Sequence, residues 1–226
     1  NNQGIALYSQ ANSTTTFKGV IRNIVSTYEG TSSPSAIAVK GTITFENAVV
    51  DGLKTNKNGM IRLFDKGSLI AKNTEFTNNQ AGGDGGIVYA QMDASTVSFE
   101  QCTFTSNKAA GNGGATYIAE DATITNCKFD ANTAGKNGGA VYNASSANLT
   151  VTGDKTDKSV FANNKANGVK TVSDGDTVYY GGGAICIGSG TLEITGYEFI
   201  GNSANRGGAV RLNGNNTIEA TISGSI

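Results

Sequence analysis

Tryptophan and histidine are absent from this chain, and proline occurs once in 226 residues. Without histidine there is no Cys-His pair to activate a nucleophile. Three cysteines cannot build the complete disulfide framework of a small secreted domain. Charge is scarce too: Lys, Arg, Asp and Glu make up 15% of the residues, and the formal net charge is −1. That balance leaves no basic footprint for nucleic acid and no polybasic stretch for anionic lipid. No apolar run approaches the ~20 residues of a membrane-spanning helix. The first residues, Asn1-Asn2-Gln3, lack the positive charge and apolar segment of a signal peptide, so a mature or excised piece is expected.

What is abundant is glycine, with 31 residues, alongside Asn, Thr and Ser. These residues fall into a repeated phrase: a Phe, an Asn three positions on, an Ala two beyond that, then Gly-Gly and a small residue. Phe76-Asn79-Ala81 leads to Gly85-Gly86-Ile87, Phe104-Asn107-Ala109 to Gly113-Gly114-Ala115, and Phe129-Asn132-Ala134 to Gly138-Gly139-Ala140. Phe161-Asn164-Ala166 reaches Gly182-Gly183-Ala184 after an insertion, and Phe199-Asn202-Ala204 leads to Gly207-Gly208-Ala209. The least interrupted spacings are 28 positions (Phe76 to Phe104) and 25 positions (Phe104 to Phe129). A period of that length suits one turn of a solenoid, each turn burying its apolar face against its neighbours.

Aligned on Phe, the turns alternate apolar and polar residues with the period of two expected of strands. Leu69 and Ala71, Val97 and Phe99, Ala122 and Ile124, and Leu192 and Ile194 share one inward pattern before the Phe. After Gly-Gly, inward positions hold Val88, Thr116, Val141, Ile185 and Val210, then Ala90, Ile118, Asn143, Ile187 and Leu212. Strand, bend, strand, glycine corner, strand, without helices, predicts an all-β, right-handed parallel β-helix of about seven coils. One domain should span 1–226, with degenerate coils over 1–68, clear repeats over 69–212 and a last partial coil over 213–226. Insertions are expected at 153–159 and at 167–181, the second a projecting β-hairpin, since Asp174-Gly175 sits between alternating segments. Glycine supplies the corners. Asn79, Asn107, Asn132, Asn164 and Asn202 should form a structural amide ladder from coil to coil.

The alternation of Phe-x-x-Asn with Gly-Gly-Ala, here FTNN, FTSN, FDAN, FANN and FIGN with GGI once and GGA four times, resembles the repeat of the chlamydial polymorphic outer membrane proteins. The same repeat occurs in large adhesin-like surface proteins of other bacteria and of archaea. The resemblance covers 69–212 well and 1–68 by drift. It implies an extracellular, cell-surface passenger or stalk, a fragment of a larger secreted or anchored protein. Its expected partners are proteins or glycans on host or neighbouring cells. It transfers no catalytic residue and no cofactor, because the motif residues are structural, and the chain lacks the membrane barrel of the chlamydial proteins.

Several positions are candidates for more than scaffolding. Tyr89, Tyr117 and Tyr142 form an outward column flanked by Arg62 and Arg211, available to contact sugar rings or a partner protein; alternatively, stacked Tyr residues simply stabilise their sheet. The 167–181 arm carries Asp174, Asp176, Tyr179 and Tyr180, and long loops on rigid scaffolds often bind; an ordinary surface insertion is the alternative. Gly82-Gly83-Asp84-Gly85-Gly86 is similar to glycine-aspartate calcium repeats, yet Asn112 stands where the next Asp would be, so no metal is assigned. A carbohydrate-active enzyme remains the competing class and a structural spacer the third. Glycosidases need two carboxylates at a fixed separation, whereas the outward column before Phe reads Glu75, Thr103, Lys128, Val160, Glu198. Cys102 and Cys127 are expected as buried free thiols on adjacent coils. Cys186 falls in the outward Tyr column and should be accessible unless the arm covers it.

Overall fold

The structure, a computed structural model, describes residues 4–26, 35–94, 96–144, 147–154, 159–171, 177–213 and 218–224. Four short strands make each coil. In one turn these are Ser68–Lys72, Glu75–Thr77, Gln80–Ala81 and Val88–Ala90. Stacking each strand on its counterpart one coil away gives four parallel sheets, two of eight strands and two of seven among the described residues. The result is an all-β right-handed solenoid of about seven turns, and no helix occurs among the described residues. We refer to its faces as the long-strand sheet (containing Ser68–Lys72), the Phe sheet (Glu75–Thr77), the Ala sheet (Gln80–Ala81) and the Tyr sheet (Val88–Ala90).

The corners follow from backbone sterics. Asn73, Gln101, Asn126 and Gly196 turn the chain from the long-strand sheet into the Phe sheet with φ between 46° and 68°. Asn and Gly tolerate this left-handed region best, because a short polar side chain bonds locally and glycine has no Cβ to clash. A second left-handed corner follows the Phe sheet at Asn78, Ser106, Ala131, Asn163 and Gly201. At the Gly-Gly step the two glycines do different things. The first, such as Gly113 with φ 67°, makes the corner. The second, such as Gly114, has no room for a Cβ because the carbonyl oxygen of Gly139 on the next coil occupies that space.

The expected three-strand coil is corrected by the two-residue strand of the Ala sheet, which the repeat had shown only as a conserved-looking Ala step within this chain. Its single inward side chain is Ala81, Ala109, Ala134 or Ala166, all buried. Two residues are too few to display a period of two, so alternation cannot reveal such a strand.

Side chains of equivalent positions stack along the axis. Phe104 and Phe129 lie 4.5 Å apart with rings 1° from parallel, and Phe129–Phe161 follows at 4.7 Å and 8°. Each buried Phe contributes on the order of 1.5–3 kcal/mol by removal from water. Inward columns keep the register read from the alternation: Leu69↔Val97 and Ala71↔Phe99, then Val97↔Ala122 and Phe99↔Ile124. The 167–181 insertion is an antiparallel hairpin pairing Val169–Thr171 with Thr177–Tyr179. Its tip, including Asp174 and Asp176, lies outside the described residues, as does 155–158 of the first insertion.

Candidate functional site

Of the asparagines after Phe, Asn79, Asn107, Asn132 and Asn164 are buried and Asn202 partly so, and each solves the same problem: corner amides that would otherwise face no acceptor. Asn107 Nδ2 donates to Asn132 Oδ1 at 3.0 Å and to the Phe76 carbonyl at 2.8 Å, while its backbone N–H also donates to Asn132 Oδ1 at 3.0 Å. The same triple contact links Asn79 to Asn107, Asn132 to Asn164 and Asn164 to Asn202. Upstream the row ends where the Leu53 N–H donates to Asn79 Oδ1.

A second row of this kind escaped the reading of the repeat. In four successive coils the residue before the corner glycine is Asn58, Asp84, Asn112 and Asn137. The Asp84 N–H donates to Asn58 Oδ1 at 2.9 Å. Asp84 Oδ1 accepts from the Asn112 N–H at 2.6 Å and from its Nδ2 at 3.0 Å. Asn112 Oδ1 in turn accepts from Asn137, and Asn137 Oδ1 takes the Gly181 N–H at 3.0 Å and Arg211 Nη1 at 3.4 Å. Asp84 is therefore a rung in a polar row. The signal available in the sequence was the recurrence of Asx immediately before glycine.

The tyrosines stack on one another. Tyr89 and Tyr117 have ring centroids 4.9 Å apart at 30°, and Tyr117 and Tyr142 5.5 Å at 37°. All three are half-buried, and burial is the main reason their phenols are held above the ordinary tyrosine range. Tyr117 lies between the other two rings, stacked on Tyr89 and tilted against Tyr142. The flanking arginines are engaged within the molecule. Arg62 Nε donates to Gln91 Oε1 at 2.9 Å and its guanidinium lies 5.1 Å from the Phe64 ring centre. Arg211 Nη1 donates to the Tyr179 carbonyl at 2.8 Å.

That last bond ties the hairpin arm to the body. Arg206 adds a cation over the Tyr179 ring at 5.3 Å, and the Tyr180 N–H donates to the Gly168 carbonyl at 3.1 Å. Tyr179 is exposed and Tyr180 partly so. Cys186, one coil from Tyr142 and one from Arg211 in the same column, is completely buried, and burial pushes its thiol up to about 12. The expected accessibility of Cys186 is thus corrected: the column is outward by register, but here it lies where Arg211 and the arm come together. Cys102 and Cys127 are buried free thiols. The Cys102 N–H donates to Cys127 Sγ at 3.3 Å, and the Cys127 N–H to the Tyr197 hydroxyl at 2.8 Å.

Beside the Tyr sheet, where the chain turns into the long-strand sheet, two contiguous hollows of about 440 and 460 Å³ run along the corner. Both are lined by Met92 and Ala119; the first also by Tyr89, Tyr117 and Asp93, the second by Glu120 and Asp121. Met92 is 75% exposed. Desolvation, then Asp121 and Asp93, hold the Glu120 carboxyl above its usual range. Asp121 Oδ1 accepts the Asn148 N–H at 2.7 Å. The sequence reading passed over these corner residues because they differ from coil to coil and carry no repeat signal.

Parallel coils joined by left-handed corners, stacked apolar columns and buried amide rows define a right-handed β-helix. The family model described as "Right handed beta helix region" matches residues 1–156, and the chain belongs to that family. No curated protein and no solved structure matches the chain.

Proposed function

We propose that this chain is a segment of an adhesin-like surface protein: a β-helical stalk or passenger that carries a binding face for a protein or glycan on a host or neighbouring cell. The observation that carries the reading is the division of the molecule into a heavily cross-bonded interior and a variable outer corner. The motif residues are consumed in stacking and amide rows, which makes a stiff rod. The corner beside the Tyr column differs from coil to coil, as a surface chosen for recognition would. The likeness of the Phe-x-x-Asn and Gly-Gly-Ala pairs to the chlamydial surface-protein repeat supports an extracellular setting.

Beads coated with the folded chain should adhere to cells above the level of beads coated with heat-unfolded chain. Treating the cells with protease or with glycosidase separates a protein partner from a glycan. Equal adhesion by folded and unfolded chains would sink the proposal. Release of reducing ends from polysaccharides by the folded chain would replace it with the carbohydrate-active enzyme.

A further inference from the structure

The corner groove deepens the binding reading and rests on it, because its chemistry selects among partners. It touches four successive coils, at Met92, Ala119–Asp121, Ala144 with Ala147, and Ser189. At the β spacing that is about 14 Å, the length of roughly four residues of extended peptide. Its floor is small and apolar, with Ala119 and Ala147 almost buried. Its charged lining is of one sign: Asp93, Glu120 and Asp121. Asp65, on an earlier coil, is ion-paired with Lys40. Within the lining, Asp93 Oδ2 accepts the Asp65 N–H at 3.0 Å and lies within the field of Arg62. Among the described residues, Asp121 is held by neutral Asn148 donors alone. Glu120 has no hydrogen-bond or ion-pair partner among the described residues.

A sugar ring needs an open aromatic face, and Tyr117 lies between the rings of Tyr89 and Tyr142, whose centres are 4.9 and 5.5 Å away. What the groove offers is carboxylates at its rim, a flexible and polarizable Met92 and an alanine floor. Those groups suit a cationic head on an aliphatic stem, which pairs with carboxylate at one end and lies along apolar surface at the other. We propose that this groove binds an extended basic segment of a partner protein, its Lys or Arg side chains meeting Glu120 and Asp121 and their stems lying across Met92 and Ala119.

The chain has two methionines, Met92 in the groove and Met60 fully buried. Labelled with ¹³C at the methyl groups, it gives a site-specific reporter and an internal fold control. Titration with a Lys-Ser-Lys-Ser-Lys peptide at low salt should shift Met92 and leave Met60 in place. A Glu-Ser-Glu-Ser-Glu peptide and a neutral oligosaccharide should shift neither. The double variant E120Q/D121N keeps side-chain acceptors at both positions, so Met60 should stay at its native shift while the midpoint for the basic peptide rises at least tenfold. The proposal is overturned if Met92 stays unmoved to millimolar peptide, responds equally to the acidic peptide, moves with the oligosaccharide instead, or keeps its midpoint in the double variant. Cell adhesion by the folded chain with an unmoved Met92 overturns the groove alone and leaves the adhesive reading standing. A shifted Met92 without adhesion supports the groove and removes the adhesive reading.

Discussion

Asn132 shows what one residue does here. Its Oδ1 accepts two bonds from Asn107, and its Nδ2 donates to Asn164 and to the Phe104 carbonyl. Truncation to Ala leaves those partners buried without water, and each orphaned group costs about 1–3 kcal/mol. Some relaxation will offset part of that, so N132A should lose about 2–4 kcal/mol in chemical denaturation. Alanine at exposed Lys108 should stay within about 0.5 kcal/mol of the parent.

A second residue-scale outcome concerns alkali. The thiol of Cys186 stays protonated in the folded chain up to about 12, against an ordinary 9.0. Its contribution is complete below pH 9.0 and falls as pH climbs toward about 12, because the unfolded chain releases that proton first. The slope is about 1.4 kcal/mol per pH unit for one such group. Unfolding midpoints measured from pH 8 to 11 should decline in the parent, and more gently in Cys186→Ala once that variant's own lower baseline is subtracted. Parallel slopes would show that Cys186 is not the group responsible.

Elements owe their form to corners more than to strand propensity. Most strands have two to six residues, too short to hold alone, and each is fixed by a left-handed corner and by the coil above and below. The hairpin arm is the exception, since it pairs with itself. Arg211 ties it to the rod, bonding Tyr179 on the arm and Asn137 at the end of the second amide row. R211A should therefore loosen the arm and expose Cys186. Reaction of Cys186 with a thiol reagent under native conditions should quicken at least tenfold, while Cys102 and Cys127 stay protected. Protection of Cys186 in that variant would mean that packing beneath the arm, not the arginine, covers it.

At the scale of the molecule, a solenoid is as stable as its local coils and the interfaces between them. Those interfaces are unequal. The Asn row begins at Asn79, and the coil before it offers the Leu53 N–H and the Val50 carbonyl in place of a further Asn, so among the described residues the upstream coils are joined by backbone bonds and apolar columns without a rung of this row. Hydrogen exchange should follow this gradient. Strand amides in Thr42–Glu46 and Val49–Asp51 should exchange faster than those in Ala122–Thr125 and Lys128–Asp130, with opening energies falling toward the chain start. Uniform protection along the rod would show that the amide row adds nothing to coil cohesion.

How much of this was legible beforehand depended on whether a feature repeats. Apolar alternation and the Phe-to-Phe period specified the inward columns, since a slip of one residue would turn Leu69, Val97 and Phe99 toward water. The Asn and Gly positions were legible for the same reason: a corner recurring each coil demands the same backbone freedom each time. The Ala-sheet strand was too short for its period to show. Tertiary structure alone decided what happens where coils differ. Cys186 is outward by register and yet completely buried. Tyr117 is aromatic and half-exposed, yet it is hemmed between the rings of the adjacent coils. Met92, Glu120 and Asp121 come together only because unlike corners stack. The sequence by itself determined the coil, because every turn must satisfy the same local sterics and burial. The surface was decided only when the coils were stacked, because exposure at any position depends on residues about a full turn away.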